Sequence, residues 1–328
     1  MRKHSEENTS PEAWLTLWLE DLRADRSPAT LRRYRSVLRR FFAWYEQEEH
    51  RALNIHDLTP IALLGYKNHL QETEASSTVN THLSALRTWC AWLHDKSYLM
   101  DNPAARLKLV DRQAGSEAPK FLKATQVNAL LRAAGNSRHR HRDTAIIQMM
   151  LQTGLRIGEC AALQYEDIQF GEKQGKVFIR AGKGDKARVI PLNGSIRQAL
   201  ARYTAPFLGV ESTLSAVAQA WPRRSADSPP SPLWKSQKGG AMSASAIGRM
   251  VDGLVRDCAS RQLLPASTSA HTLRHTFAKY YLKTHPGDLI GLALFLGHQS
   301  LNTTRIYVQP TAEELAARLE ALSLNAFD

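Results

Sequence analysis

The chain has 328 residues, 43% of them apolar, enough for ordinary cores in two domains of about 100–200 residues each, and this argues against a wholly disordered protein. Lys and Arg number 43 against 31 Asp and Glu, a formal charge of +12, so a polyanion is the first partner to consider beside the plainer reading of a merely basic protein. The 3 cysteines, Cys90, Cys160 and Cys258, are far apart and form no CxxC pair, which argues against a disulfide framework or a thiolate zinc site and fits a cytoplasmic location; no apolar leader opens the sequence and no apolar run of about 18 residues marks a membrane span.

Residues 8–110 read as helical from apolar period and capping signals. In PEAWLTLWLEDL, the side chains of Trp14, Leu15, Trp18, Leu19 and Leu22 fall on one stripe. The next helix opens with Ser27 as cap and Pro28 in its first turn; Leu31, Tyr34, Leu38, Phe41, Phe42 and Tyr45 line one side, and Arg32, Arg33, Arg35, Arg39 and Arg40 the other. A third helix is expected from Pro60 to about Thr73 and a fourth from about Ser77 to Lys96, with Asn102-Pro103 as a stop. The polar stretch 111–120 reads as an interdomain linker, leaving 121–328 as a second domain.

In that domain LKATQVNALLRAA reads as a helix capped by Thr125, RDTAIIQMMLQTG as one ended by Gly154, and RIGECAALQYEDI as a third. Val177–Ile179 and Ala187–Leu192 form a β-hairpin around GKGD. Residues 210–240, rich in Ser and Pro, read as a long loop or insertion in which Leu214–Ala220 is a possible helical turn. Helices resume at Ala244–Arg261 and run on through GDLIGLALFLG to an amphipathic tail. The fold class is mainly α with a small β-hairpin sheet.

Several residues are suited to an anionic centre. Arg156 follows Gly154 near a helix start, where a guanidinium fork and the helix terminus both favour phosphate; Glu159, one turn on, orients a basic neighbour, or the two are a surface pair. His271 and Arg274 share a helix face, and His275 beside them fits a packing role as well. Lys183 sits at the hairpin tip between two glycines, either a solvated turn lysine or an ammonium able to reach into a groove and give up a proton. Lys186 and Arg188 read as phosphate contacts or solvated charges. His298 follows Gly297, and Tyr307 follows in turn; a phenol of pKa ~10 is a poor nucleophile unless its proton is removed or its oxyanion stabilised.

TGLRIGEC, AGKGDKARVIPL, HTLRHTFA and LGHQSLNTTRIYVQ, in this order, resemble the boxes of the tyrosine recombinase (phage integrase) family, nearest its Xer and transposon-borne branch. HLSALRTWCAWLHDKSYLMDNPA resembles the family's core-binding domain, so the likeness spans nearly the whole chain. The resemblance implies two domains, a helical core-binding domain and a mixed α/β catalytic domain, clamping duplex DNA. It implies catalytic roles for Arg156, Lys183 as general acid, His271, Arg274, His298 and Tyr307 as nucleophile, with Glu159 in support, and neither metal nor cofactor. It further implies a homotetramer on an inverted-repeat core site, possible accessory proteins, and a tail helix docking on an adjacent protomer unless it packs on its own domain. Arg32, Arg33, Arg35, Arg39, Arg40 and Arg87 become candidate DNA contacts, or else a solvated basic face.

The activity so implied is breakage and rejoining of DNA through a 3′-phosphotyrosyl intermediate and a Holliday junction, serving integration, excision or resolution of a mobile element. Chromosome dimer resolution of the Xer type and an inactive DNA-binding relative are the alternatives. A metal-dependent nuclease or transposase needs clustered carboxylates, which the boxes lack, and a relaxase needs a histidine triplet.

Overall fold

The computed structural model describes residues 10–111, 121–180, 187–221, 231–298, 304 and 319–320. The chain divides into two units, Met1–Ser116 and Glu117–Asp328, with the boundary inside the stretch read as a linker.

Among its described residues the first unit holds four α-helices, α1 (Pro11–Asp21), α2 (Pro28–Glu49), α3 (Pro60–Thr73) and α4 (Ser76–Asp95). The first three start the same way: Ser10, Ser27 or Thr59 accepts a backbone N–H of the first turn, and a proline follows where its missing N–H costs nothing. Their apolar stripes meet in one core around Trp18, Leu38, Phe41, Tyr66, Leu83 and Trp89. Phe41 stands edge-on to Tyr66 with ring centroids 5.0 Å apart, and the Tyr66 hydroxyl pairs with His82 Nδ1 at 2.9 Å, so a buried polar tip is satisfied. The end of the unit is tied back by Asn80, whose side chain exchanges two 2.8 Å hydrogen bonds with the backbone of Val110.

The second unit begins with α5 (Ala124–Gly135), α6 (Arg140–Thr153) and α7 (Ile157–Ala162). Thr125 does not cap α5: it lies inside the helix, and the Lys123 N–H donates instead to Gln126 Oε1 at 2.8 Å. In α6, Ala145, Ile146, Ile147, Met149 and Met150 are all fully buried, the all-round apolar pattern of a central helix. It packs against α5, α8 (Gly194–Leu208) and α11 (Ala270–Thr284).

The helix expected over RIGECAALQYEDI stops at Ala162, because Leu163 and Gln164 turn extended. Leu163 O accepts Leu233 N at 2.9 Å, and Tyr165 N donates to Ser231 O at 3.0 Å, so pairing with a distant segment wins over the local helical pattern. The sequence from Ile168 then forms a strand, β1 (Ile168–Phe170), the edge of an antiparallel sheet with β2 (Gly175–Ile179) and β3 (Arg188–Pro191) in the order β1-β2-β3. The expected hairpin is thus the β2–β3 part of a three-stranded sheet, in register Val177↔Ile190 and Ile179↔Arg188.

The helix α8 has no counterpart in the sequence reading, although Asn193 caps it and Gly209, at φ 66°, ends it. Nor are the described parts of 210–240 a loose insertion. Leu214–Ala220 is a helix, α9. Leu233 and Trp234 are in the core, and the indoles of Trp221 and Trp234 donate to Ile168 O at 3.1 Å and Cys160 O at 2.8 Å. Helices α10 (Ala244–Ser260), α11 and α12 (Leu289–Leu296) complete the described unit, and the expected tail helix lies largely outside the described residues. Among the described residues no helix is long and apolar enough to cross a membrane.

Candidate active site

Three chain reversals converge in the second unit. Gly154, at φ 64°, ends α6 in a left-handed conformation that favours glycine, and an added Cβ there would collide with the Phe277 ring. Two residues on, Arg156 is the N-cap of α7; its backbone N–H donates to Glu159 Oε2 at 2.7 Å, so the acid folds back over the helix start. Gly297, at φ 67°, ends α12 in the same way and delivers His298.

At the centre lies Arg274 of α11, with its side chain 2% exposed. Its Nη1 donates to Gly154 O at 2.6 Å, its Nη2 to Leu296 O at 2.7 Å and to His298 Nε2 at 3.0 Å. One guanidinium therefore joins the end of α6, the end of α12 and the final histidine. Since His298 Nε2 accepts from Arg274, the ring proton is assigned to Nδ1, which donates to the hydroxyl of buried Thr304 at 2.9 Å.

Glu159 is the anionic counterpart. Arg188 of β3 binds it through both guanidinium nitrogens, at 2.8 and 2.9 Å; Arg156 Nη1 lies 3.4 Å away and Arg274 Nη1 4.0 Å. Burial works against its charge, but the Arg188 hydrogen bonds, the Arg156 N–H and both guanidinium charges outweigh it and hold the carboxyl below its usual range. His271, one turn before Arg274, is pushed below its ordinary value by burial and then by the charges of Arg274 and Arg156. His275 stacks edge-on to His271, centroids 4.3 Å apart, and burial, His271 and Arg274 bring it to about 4.

His298 is likewise lowered to about 4, by burial first and then by Arg274, Arg156 and Arg188. The pocket thus holds neutral imidazoles among fixed guanidinium charges. Because these bases bind protons less readily folded than unfolded, stability is complete above the ordinary value of 6.5 and falls as pH drops from there towards about 4. The thermal midpoint of the full chain is expected to decline across that window, and His298→Gln to flatten the decline.

Arg156, Glu159, His271, Arg274 and His298 are therefore brought together. Lys183, Lys186 and Tyr307 lie outside the described residues. Arg188, expected as a phosphate contact or a solvated charge, is instead 8% exposed and taken up by Glu159 and by Phe295 O, to which its Nε donates at 2.8 Å. A signal for this was present: strand alternation puts Arg188 on the same face as buried Ile190. Thr304 had no signal of its own in the sequence. On the first unit, Arg32, Arg33, Arg35, Arg39 and Arg40 are exposed on α2 and Arg87 on α4; Arg39 pairs with Glu12 at 3.2 Å and Arg40 with Glu74 at 2.7 Å. Among the described residues no group of three or more His, Cys, Asp or Glu side chains converges as metal ligands would.

The phage integrase family model matches residues 120–314, and the model of the phage integrase N-terminal SAM-like domain matches residues 15–97. The tyrosine recombinase XerC of Rhodospirillum centenum is 31% identical over 319 residues, covering 92% of this chain and 83% of that protein. The XerC of Thermodesulfovibrio yellowstonii is 27% identical over 313 residues, covering 94% and 95%. Among solved structures, XerH site-specific recombinase bound to palindromic difH substrate aligns with a TM-score of 0.69 at 22% identity, over 95% of this chain and 84% of that one. The Tn1549 transposon integrase in complex with transposon right end DNA aligns with a TM-score of 0.67 at 20% identity, over 94% and 99%. At these identities the two structures speak for the fold.

Proposed function

The chain belongs to the phage integrase family, and from that premise we propose that Arg156, His271 and Arg274, the last held by His298, grip a scissile DNA phosphodiester while Tyr307 attacks it and Lys183 protonates the departing oxygen. The enzyme is a tyrosine site-specific recombinase, which breaks and rejoins DNA. The observation that carries the residue assignment is Arg274, which is buried and hydrogen-bonded at once to the end of α6, the end of α12 and His298.

The geometry suits this chemistry. Negative charge builds on the non-bridging oxygens as the phenol oxygen of Tyr307 bonds to phosphorus and its proton passes to His271, an imidazole that burial and the Arg274 and Arg156 charges keep neutral. The preorganised guanidinium groups of Arg156 and Arg274 offset that charge without reorganising, with His298 holding Arg274 in place. The bond from phosphorus to the 5′ oxygen breaks, Lys183 supplies that oxygen's proton, and the 3′ phosphate stays on tyrosine. Attack by a 5′ hydroxyl of the partner strand reverses each step, so the phosphodiester energy is retained. Exchange of both strand pairs in this way passes through a Holliday junction, with a tetramer bringing two core sites together. Arg32, Arg33, Arg35 and Arg87 of the first unit are suited to phosphate contacts, and duplex affinity should then fall with salt by a log–log slope of about −0.9 per phosphate neutralised.

The reading is tested with a duplex enriched from a random-sequence library by the full chain and then nicked beside the exchange point, so that religation is blocked. The chain is expected to become covalently attached to the strand's 3′ phosphate, at the same rate in excess EDTA. An adduct abolished by EDTA, or free cleaved ends without adduct, would speak for a metal-dependent nuclease instead.

A further inference from the structure

We propose that Arg188 is a positioning residue for strand cleavage: by gripping both oxygens of Glu159 it neutralises that carboxylate from strand β3, so that Glu159 does not draw the Arg156 guanidinium away from the DNA phosphate. The inference rests on the phosphate-binding reading of the cluster given above, and it concerns a residue outside the set assigned to the phosphate, the nucleophile and the general acid.

Three guanidinium groups surround one carboxylate, and they are not equivalent. Arg188 makes the parallel two-bond pair at 2.8 and 2.9 Å, with side chains only 8% and 14% exposed. The Arg156 guanidinium stands 3.4 Å from Glu159 and is 36% exposed, while Arg274 stands at 4.0 Å. A paired fork of this kind is the strongest arrangement open to a carboxylate, and its short distances identify Arg188 as the dominant counter-ion.

The third donor of Arg188 fixes its place. Nε donates to Phe295 O at 2.8 Å, in the last turn of α12, the helix that delivers His298. The chain passes so near that a Cβ on Gly297 would lie 2.6 Å from Arg188 Nη1. On its other side Arg188 pairs with Ile179 across β2 and β3, the last pair before the connection that carries Lys183. A single side chain thus links the base of the hairpin, the acid under Arg156 and the end of α12.

The electrostatic consequence is specific. Glu159 without Arg188 is a largely buried charge whose nearest remaining cations are Arg156 and Arg274. Arg274 is held by its own hydrogen bonds, but the more exposed Arg156 would turn towards Glu159, and the positive field facing a phosphodiester would weaken. Removing the carboxylate charge should then restore that field even though Arg188 is still missing.

This is measured as single-turnover adduct formation on the nicked, library-enriched duplex, with duplex affinity and thermal melting recorded for each variant. Arg188→Met is expected to slow adduct formation about 100-fold with affinity changed by less than about threefold. Arg188→Met combined with Glu159→Gln is expected to regain about tenfold or more of the lost rate. A merely structural arginine predicts no such recovery. Should Arg188→Met fail to fold, Arg188→Lys, which keeps the charge but not the fork, is expected to be about tenfold slower at unchanged affinity. A wild-type rate in Arg188→Met or Arg188→Lys, or a double variant no faster than Arg188→Met alone, overturns the proposal. Failure of the recombinase reading itself shows differently, as an unsubstituted chain that forms no adduct.

Discussion

Arg274→Met is expected to cut the rate of covalent attachment to a nicked duplex by about 1,000-fold, the loss typical of removing a preorganised donor from a developing charge. The same substitution is expected to cost about 3 kcal/mol of stability. Methionine fills much of the volume but has no donors. Gly154 O and Leu296 O, which accept from Arg274 at 2.6 and 2.7 Å, are then left in a region where that side chain was 2% exposed. An unsatisfied buried carbonyl costs about 1–3 kcal/mol, so two of them account for the destabilisation before any effect on Glu159 is counted. His298 loses its 3.0 Å donor as well, which removes the constraint that fixes its tautomer. Urea unfolding and single-turnover kinetics check the two halves separately. A variant of full stability, or one slowed less than about tenfold, would mean that the guanidinium is not the hub that its hydrogen bonds describe.

Much of this centre was legible from local signals. Gly154 and Gly297 mark helix ends because a left-handed residue is needed there, and the structure has both at positive φ. In the first unit, the Ser27-Pro28 opening of α2 is read directly from capping chemistry. The spacing of His271 and Arg274 on one helix already puts that pair on a shared face, and Glu159 lies one turn after Arg156.

What escaped the sequence depends on contacts between distant segments. RIGECAALQYEDI carries helical periodicity throughout, yet Leu163 and Tyr165 pair with 231–233, and nothing local announces this. The same pairing turns the margins of the Ser- and Pro-rich stretch into core, where Trp234 donates to Cys160 O. Strand alternation hints that Arg188 shares a face with Ile190, but its partner Glu159, 29 residues away in the chain, has no local signal. α8, by contrast, is bracketed by ordinary caps, Asn193 and Gly209, that are present in the local sequence. Lys183 and Tyr307 rest on chemistry and family likeness alone, being outside the described residues.

Tyr307→Phe is expected to bind the enriched duplex as tightly as the unsubstituted chain and to form no covalent adduct. The substitution deletes one oxygen, which contributes little to a duplex affinity dominated by phosphate charge. Its loss removes the only atom that the mechanism allows to bond to phosphorus. A water-assisted bypass would give hydrolysed ends without attachment, so the readout separates loss of the nucleophile from loss of binding.

The site of attachment is the sharpest measurement. Trypsin cuts after Arg305 and Arg318, releasing residues 306–318, IYVQPTAEELAAR, in which Tyr307 is the only tyrosine. Mass spectrometry of the nuclease-trimmed adduct is predicted to find the nucleotide on this peptide, with fragmentation placing it on Tyr307. A nucleotide on any other residue, or an adduct that persists in Tyr307→Phe, would contradict the assignment of Tyr307 as the group that attacks the phosphate held by Arg156 and Arg274.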